Sequence, residues 1–203
     1  AWAPRPTSRT ASNTSRWCGP EVTLTPALLA EAFDALGRRA AAEGKVIDLA
    51  VYGGSCLMLA SNFRVATQDV DAVPATEPGL VQRLAADVAA ALGLPNDWLN
   101  DGVRTYLSPL AEFPAHHALL RGFPSEEAPG LRVFVPTAEY LLAMKLMAMR
   151  IGPEQGGKDL VDILNLVQVT GIRDKTDLID LAAGFFPEAR VSAKLLLSLD
   201  TLW

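Results

Sequence analysis

Apolar residues change their spacing several times along the chain, and each change marks an element. Leu29, Phe33, Leu36 and Ala40 fall on one helical stripe, with Thr25 placed as N-cap, Pro26 at the first helical position and Gly44 as the stop. The apolar positions Val46, Ile47, Leu49, Ala50, Val51 and Tyr52 then read as a buried strand. Gly53 and Gly54 end it and let the backbone bend, and a short apolar stretch from Cys56 to Ala60 predicts one or two turns of helix. Val70 and Val73 mark a short second strand closed by Pro74. A helix is expected from Pro78 to Leu92, carrying Leu80, Leu84, Val88 and Leu92 and closed by Gly93 and Pro95.

The second half becomes steadily more helical. Between Pro95 and Gly102 two readings stand open: a capped loop and short helix with Trp98 and Leu99 anchored in the core, or a segment that lines a substrate pocket. Residues 105–130 predict one strand near His116 to Leu120, and Leu131-Arg-Val-Phe-Val135 alternates as a strand should. Pro136-Thr137 opens a helix from Ala138 to about Arg150, with Tyr140, Leu141, Met144, Met147 and Ala148 as a broad apolar stripe. After a loop rich in Gly and Pro, Lys158 leads into a helix carrying Leu160, Ile163, Leu164 and Val167. Two more helices are expected, one capped by Thr176 and closed by Gly184, the other starting at Pro187.

These elements predict an α+β fold: a small mixed β-sheet with flanking helices, followed by a helical C-terminal half. The divisions are a flexible leader over 1–20, a core over 21–135 and a helical region over 136–203 packed on that core. The leader is set apart because it is rich in Ser, Thr, Pro and Arg and has no acid before Glu21. A chain of 203 residues with 50% hydrophobic and 20% charged content is ample for a sizeable core. No run approaches the ~18 apolar residues of a membrane span. The net charge of −5 speaks against bulk DNA binding, while leaving room for contact with one RNA end. Cys18 and Cys56 are isolated, with neither a disulfide framework nor a metal-binding cluster, which fits a reducing cytoplasm.

Candidate chemistry gathers at two places. Ser55 stands at a strand-to-helix corner, where backbone N–H groups and a hydroxyl can meet a phosphate. Thirteen residues separate it from Asp69, and Asp69 and Asp71 are two apart. On a strand that spacing puts both carboxylates on one face with Cα atoms roughly 6.5–7 Å apart, able to share a hard divalent cation whose coordination a substrate phosphate completes. Farther on, Lys145 interrupts an apolar helix, and Asp159 and Asp162 are neighbours on one face of the next. Each feature has an ordinary reading too: an Asp-x-Asp in a solvated turn, a lysine snorkelling to water, an aspartate capping a helix. His116-His117 is read as surface or structural, because adjacent strand residues point to opposite faces and no third ligand is suitably spaced.

Gly53-Gly-Ser55 followed by Asp69-Val-Asp71 resembles the first motif of the DNA polymerase beta-like nucleotidyltransferase superfamily. Glu139-Tyr-Leu-Leu-Ala-Met-Lys145, Arg150 at the helix end and Lys158-Asp-Leu-Val-Asp162 narrow the resemblance to its AbiEii-like branch, over roughly residues 45–170. That branch includes toxins of toxin–antitoxin pairs. The resemblance implies that Asp69 and Asp71 ligate Mg²⁺ or Mn²⁺, that Gly53, Gly54 and Ser55 hold the phosphates of an NTP, and that Lys145 balances their charge. Asp159 or Asp162 would be a third acid or would orient Lys145, and Arg64 would assist at the phosphates or pair with a carboxylate. One departure stands out: many superfamily members carry a third metal-binding acid on a later strand, and Leu131 to Val135 contains none.

The expected reaction is metal-dependent transfer of a nucleoside monophosphate to a hydroxyl on RNA or protein, with a cognate antitoxin or toxin as a possible partner. The alternative is a non-catalytic nucleotide-binding or toxin–antitoxin partner module on a degenerate fold of the same kind. A third class, a purely structural helical adaptor, binds no nucleotide at all.

Overall fold

The computed structural model describes residues 22–61, 63–149, 156–187, 195, 196 and 199; the expected leader, Arg150 and most of the helix expected from Pro187 lie outside the described residues. The elements run α1 (Pro26–Ala42), β1 (Ile47–Val51), α2 (Gly53–Ser61), β2 (Val70–Pro74), α3 (Pro78–Leu92), β3 (Leu99–Asn100), a 3₁₀ helix (Gly102–Tyr106), β4 (His117–Phe123), β5 (Leu131–Pro136), α4 (Ala138–Ala148), α5 (Gly156–Thr170) and α6 (Lys175–Phe185). The five strands form one mixed sheet in the order β3-β2-β1-β5-β4. β1 is antiparallel to β2 and parallel to β5, β3 is parallel to β2, and β4 is antiparallel to β5. This is the α+β architecture the sequence predicts, with α4, α5 and α6 making up the helical half.

Period-two alternation decides which side chains each face of the sheet receives. Ile47, Leu49, Val51, Val70, Ala72, Leu131 and Val133 point into the larger core, with Leu29, Phe33, Leu36 and Ala40 of α1 and Val81, Leu84 and Val88 of α3. Trp98 is fully buried there, and its indole N–H donates to the Ala85 carbonyl at 3.0 Å, so the one polar atom of a large apolar side chain is satisfied. Gly130 is set by contact: a Cβ there would fall 2.0 Å from the Gly37 carbonyl oxygen, so α1 can lie on the β4–β5 hairpin only without it. The opposite face bears Ala50 and Tyr52, and Tyr140, Ala143 and Met144 of α4 pack on it. Among the described residues no helix is long and apolar enough to cross a membrane.

Several boundaries differ from expectation for identifiable reasons. α2 starts at Gly53 rather than Cys56, because Gly53 takes φ 62° and turns the chain directly from β1 into the helix. Asp174, not Thr176, caps α6: its carboxylate accepts the Asp177 N–H at 2.9 Å. β4 runs on to Phe123, paired with β5 through Phe123–Leu131. On α5, Ile163 and Leu166 are buried and Leu164 is exposed, so the buried stripe is turned from the one the apolar residues suggested.

Candidate functional site

The site lies where the Asp71-bearing face of the sheet meets α2, α4 and α5. Cross-strand register places Val51 opposite Ala72 and Asp71 opposite Asn100, and the Tyr52 N–H donates to the Asp71 carbonyl at 2.8 Å. Asn100, Asp71 and Tyr52 are thus neighbours in one row across three strands. Asp69 sits just before β2, exposed, while Val70 between the two acids is fully buried. The burial of Val70 fixes the two carboxylates on the opposite side of the strand.

α2 begins directly beneath this row. The N–H groups of Gly53, Gly54 and Ser55 have no carbonyl one turn back within the helix to accept them, and Cys56 is the first to find one, at Tyr52. A Cβ on Gly53 would lie 2.7 Å from Asp71 Oδ2, and one on Gly54 would lie 3.2 Å from the Arg64 guanidinium. The two glycines therefore bring a carboxylate and a guanidinium against the start of the helix. Ser55 is buried, and its hydroxyl donates to the Tyr52 carbonyl at 2.9 Å. What this position can offer an anion in this arrangement is its backbone N–H.

Gly53→Ala should cost about 1–2 kcal/mol of stability, because an L side chain resists a left-handed backbone. It should also push the Asp71 carboxylate aside. Urea denaturation measures the first effect and divalent-cation affinity the second. A variant with unchanged cation affinity would show that the contact with Asp71 is immaterial.

Electrostatics single out Asp71. Burial raises its carboxyl pKa above the ordinary aspartate value, the nearby Asp69 charge raises it further, and Lys145 partly offsets both. Asn100 organises the other carboxylate: its amide donates to Asp69 Oδ2 at 3.0 Å, while its carbonyl accepts the Gly102 N–H at 2.9 Å. Two hard oxygen donors under mutual repulsion suit a divalent cation such as Mg²⁺ or Mn²⁺. Among the described residues no group of three or more His, Cys, Asp or Glu side chains is placed to hold a metal. The residues that fit one are thus a pair, to be completed by oxygens from elsewhere.

The second half of the chain supplies the positive charge and its support. Lys145 on α4 lies 2.8 Å from Asp162 and 3.4 Å from Asp159, both on α5. Asp162 is buried and also accepts two bonds from Arg64, at 3.1 Å from Nε and 2.6 Å from Nη2. Arg64 lies on the α2–β2 connection, so this carboxylate ties α5 to the loop leading to Asp69 and Asp71. Asp159 instead faces a cavity of about 290 Å³ that it shares with Gly53, Asp71, Lys145, Met144 and Tyr106. The sequence leaves open which of the two acids orients Lys145; in the structure Asp162 makes the closer contact and Asp159 lines the cavity. Cys56, nearby, is fully buried, and burial pushes its thiol up to about 12, so it stays a neutral apolar group.

β5 shows no acid to this face. By register Phe134 pairs with Ala50, and Arg132 pairs with Asp48 and binds its carboxylate. Beyond Tyr52 the row ends at His117, whose Nε2 is 2.8 Å from the Tyr52 hydroxyl. Burial, then the neighbouring His116, lowers the His117 pKa to about 4. A folded-state value below the unfolded one (roughly 6.5) means that the unfolded chain binds the proton first, so stability falls as pH drops from about 6.5 toward 4. The ring is partly open to water, which limits the effect to about 1–2 kcal/mol. His117→Gln should flatten that part of the stability–pH profile, measured by urea melts at pH 7 and pH 4.5. An unchanged slope would place the titration elsewhere.

The sequence sets Gly53, Gly54, Asp69 and Asp71 at one place and Lys145 and Asp159 at another, joined there by the motif resemblance alone; the structure brings the two places together around one site. The sequence pattern missed Tyr106 and Val103 on the cavity wall, whose spacing of three becomes meaningful only once the segment is a 3₁₀ helix. No protein-family model matches the chain, and no curated protein matches it. Among solved structures, the chain is similar to the crystal structure of an antigenic nucleotidyltransferase-like protein from Paracoccidioides brasiliensis, at 17% identity over 73% of this chain and 79% of that one, with a TM-score of 0.40.

Proposed function

We propose that this chain is a nucleotidyltransferase that moves a nucleoside monophosphate from an NTP to a hydroxyl acceptor on RNA or protein. The observation that carries this reading is the convergence of Gly53, Asp71, Lys145 and Asp159 on one cavity. Helix N–H groups and a lysine suit a triphosphate, and a carboxylate pair suits the cation that accompanies it. The α2 backbone at Gly53–Ser55 binds phosphate oxygens, and Lys145, held by Asp162, neutralises charge on them. Asp69 and Asp71 would hold Mg²⁺ or Mn²⁺, which when bound supplies charge stabilisation at the reacting phosphate. The acceptor oxygen bonds to the α-phosphorus, its proton passes to solvent, and the bond to pyrophosphate breaks. Positioning and preorganised charge are the means by which such sites accelerate phosphoryl chemistry.

The motif resemblance to the AbiEii-like branch extends the proposal to a toxin working with a cognate antitoxin in the cytoplasm. A second reading, a nucleotide-binding module without turnover, draws on the β5 face, where Phe134 stands and no acid does. Incubation with Mg²⁺, each labelled NTP and a cell extract separates the two, with the Asp69→Asn/Asp71→Asn protein alongside. Label moving to RNA or protein only with the unmutated chain supports the enzyme. Magnesium-dependent NTP binding without transfer supports the module, and neither result leaves both readings without support.

A further inference from the structure

We infer that Tyr106 is the platform on which the nucleobase of the bound NTP stacks, an inference that rests on the nucleotide reading of the cavity. The cavity has two chemically different parts. Gly53, Asp71, Lys145 and Asp159 make one of them polar, while Val103, Tyr106, Leu141, Met144 and Ala148 supply an apolar wall. Leu141 and Met144 are nearly buried, and Val103 is only 8% exposed, so these three form the floor. Tyr106 differs: it is 53% exposed, a large aromatic side chain left at the rim of a cavity that also holds Asp71, Lys145 and Asp159.

The 3₁₀ helix explains why the ring stays there. With three residues per turn, positions i and i+3 align along one edge, so Val103 and Tyr106 point the same way. Val103 is anchored in the cluster formed by Tyr52, Tyr140 and Met144, which fixes the helix on the sheet and holds the Tyr106 backbone at the cavity mouth. The start of the helix is fixed independently, because Asn100 accepts the Gly102 N–H and donates to Asp69. The ring is therefore connected through a short rigid segment to the carboxylate pair. An NTP with its phosphates at Gly53 and Lys145 has an aromatic base at its far end, and an exposed aromatic face is what such a base binds without regard to its identity.

Calorimetric titration in Mg²⁺ tests this with two probes, an NTP and inorganic tripolyphosphate, against the unmutated protein, Tyr106→Phe and Tyr106→Ala. Because Tyr106 is half exposed, both variants should melt within a few degrees of the parent, which a thermal scan checks. Tyr106→Ala should weaken NTP binding about ten-fold or more while changing tripolyphosphate binding by less than about two-fold, and Tyr106→Phe should bind both like the parent. Equal losses for the two probes, or no loss for the NTP, would overturn the stacking role while leaving the nucleotide site intact. An unmutated protein that binds neither probe would overturn the nucleotide reading itself, and the stacking role with it.

Discussion

Asp71→Asn should lower nucleotide transfer by about a thousand-fold or more while leaving the protein as stable as before, or slightly more so. On the proposed function, the loss follows from the place of Asp71 beside Gly53 and Lys145 on the cavity wall, where its charge would help hold the cation and triphosphate together. Removing one such preorganised group typically costs about 10²–10³ in rate, and removing a metal ligand as well costs more. The stability result has the opposite sign because burial and Asp69 both oppose ionisation of Asp71 in the folded state. A carboxyl whose folded pKa lies above its unfolded value makes the protein lose stability as pH rises through that range, so at neutral pH the ionised group is a burden. Asn removes the burden. Any gain should be present at pH 7 and fade in acid, where both states carry the proton. Transfer rates together with thermal melts at two pH values check both halves, and a marked drop in Tm at pH 7 would show that Asp71 is structural.

Asp162→Ala should behave in the reverse manner, with stability as its first casualty. The carboxylate is 3% exposed and is contacted by Arg64 and Lys145, so its removal leaves two cations facing a site built for an anion. Breaking a buried ion pair from one side costs roughly 3–5 kcal/mol. Arg64 can turn partly to water, which favours the lower end, about 3 kcal/mol. Urea denaturation measures this, and a loss below about 1 kcal/mol would mean that the network is solvated and holds little together. Transfer should fall as well, because Lys145 would lose the closer of its two partners. Asp162→Asn should recover much of the stability, since an amide oxygen can still accept from Arg64. The pair of variants thus separates support of the fold from placement of the lysine charge.

The contrast between Asp71 and Asp162 describes how the site is built. Asp71 is held in an unfavourable state by a well-packed sheet, and Asp162 is a buried acid fully answered by two cations. The unfavourable charge at Asp71 is tolerated because the surrounding β1–β2 pairing and the buried Val70 leave the strand no other register.

How much of this was legible in the chain depends on the range of the interaction. By itself the sequence determined the local elements: the Thr25 cap and Pro26 start of α1, the span of α3 from Pro78 to Leu92 and the alternation in Leu131–Val135. It also determined the Asp-Val-Asp spacing, because alternation on a strand needs only adjacent residues. Those features follow from backbone sterics, capping and periodicity, which act within a few positions. The tertiary structure alone decided the partners. Arg64 and Asp162 are 98 residues apart, and Asn100 reaches Asp69 across 31, distances over which no local pattern carries information. It also decided that the Ser55 hydroxyl is directed to Tyr52, that a two-residue β3 completes the row beside Asp71, and that Tyr106 stands at the cavity mouth. Each of these is a choice between burial and exposure, and that choice exists only after the sheet and helices have packed.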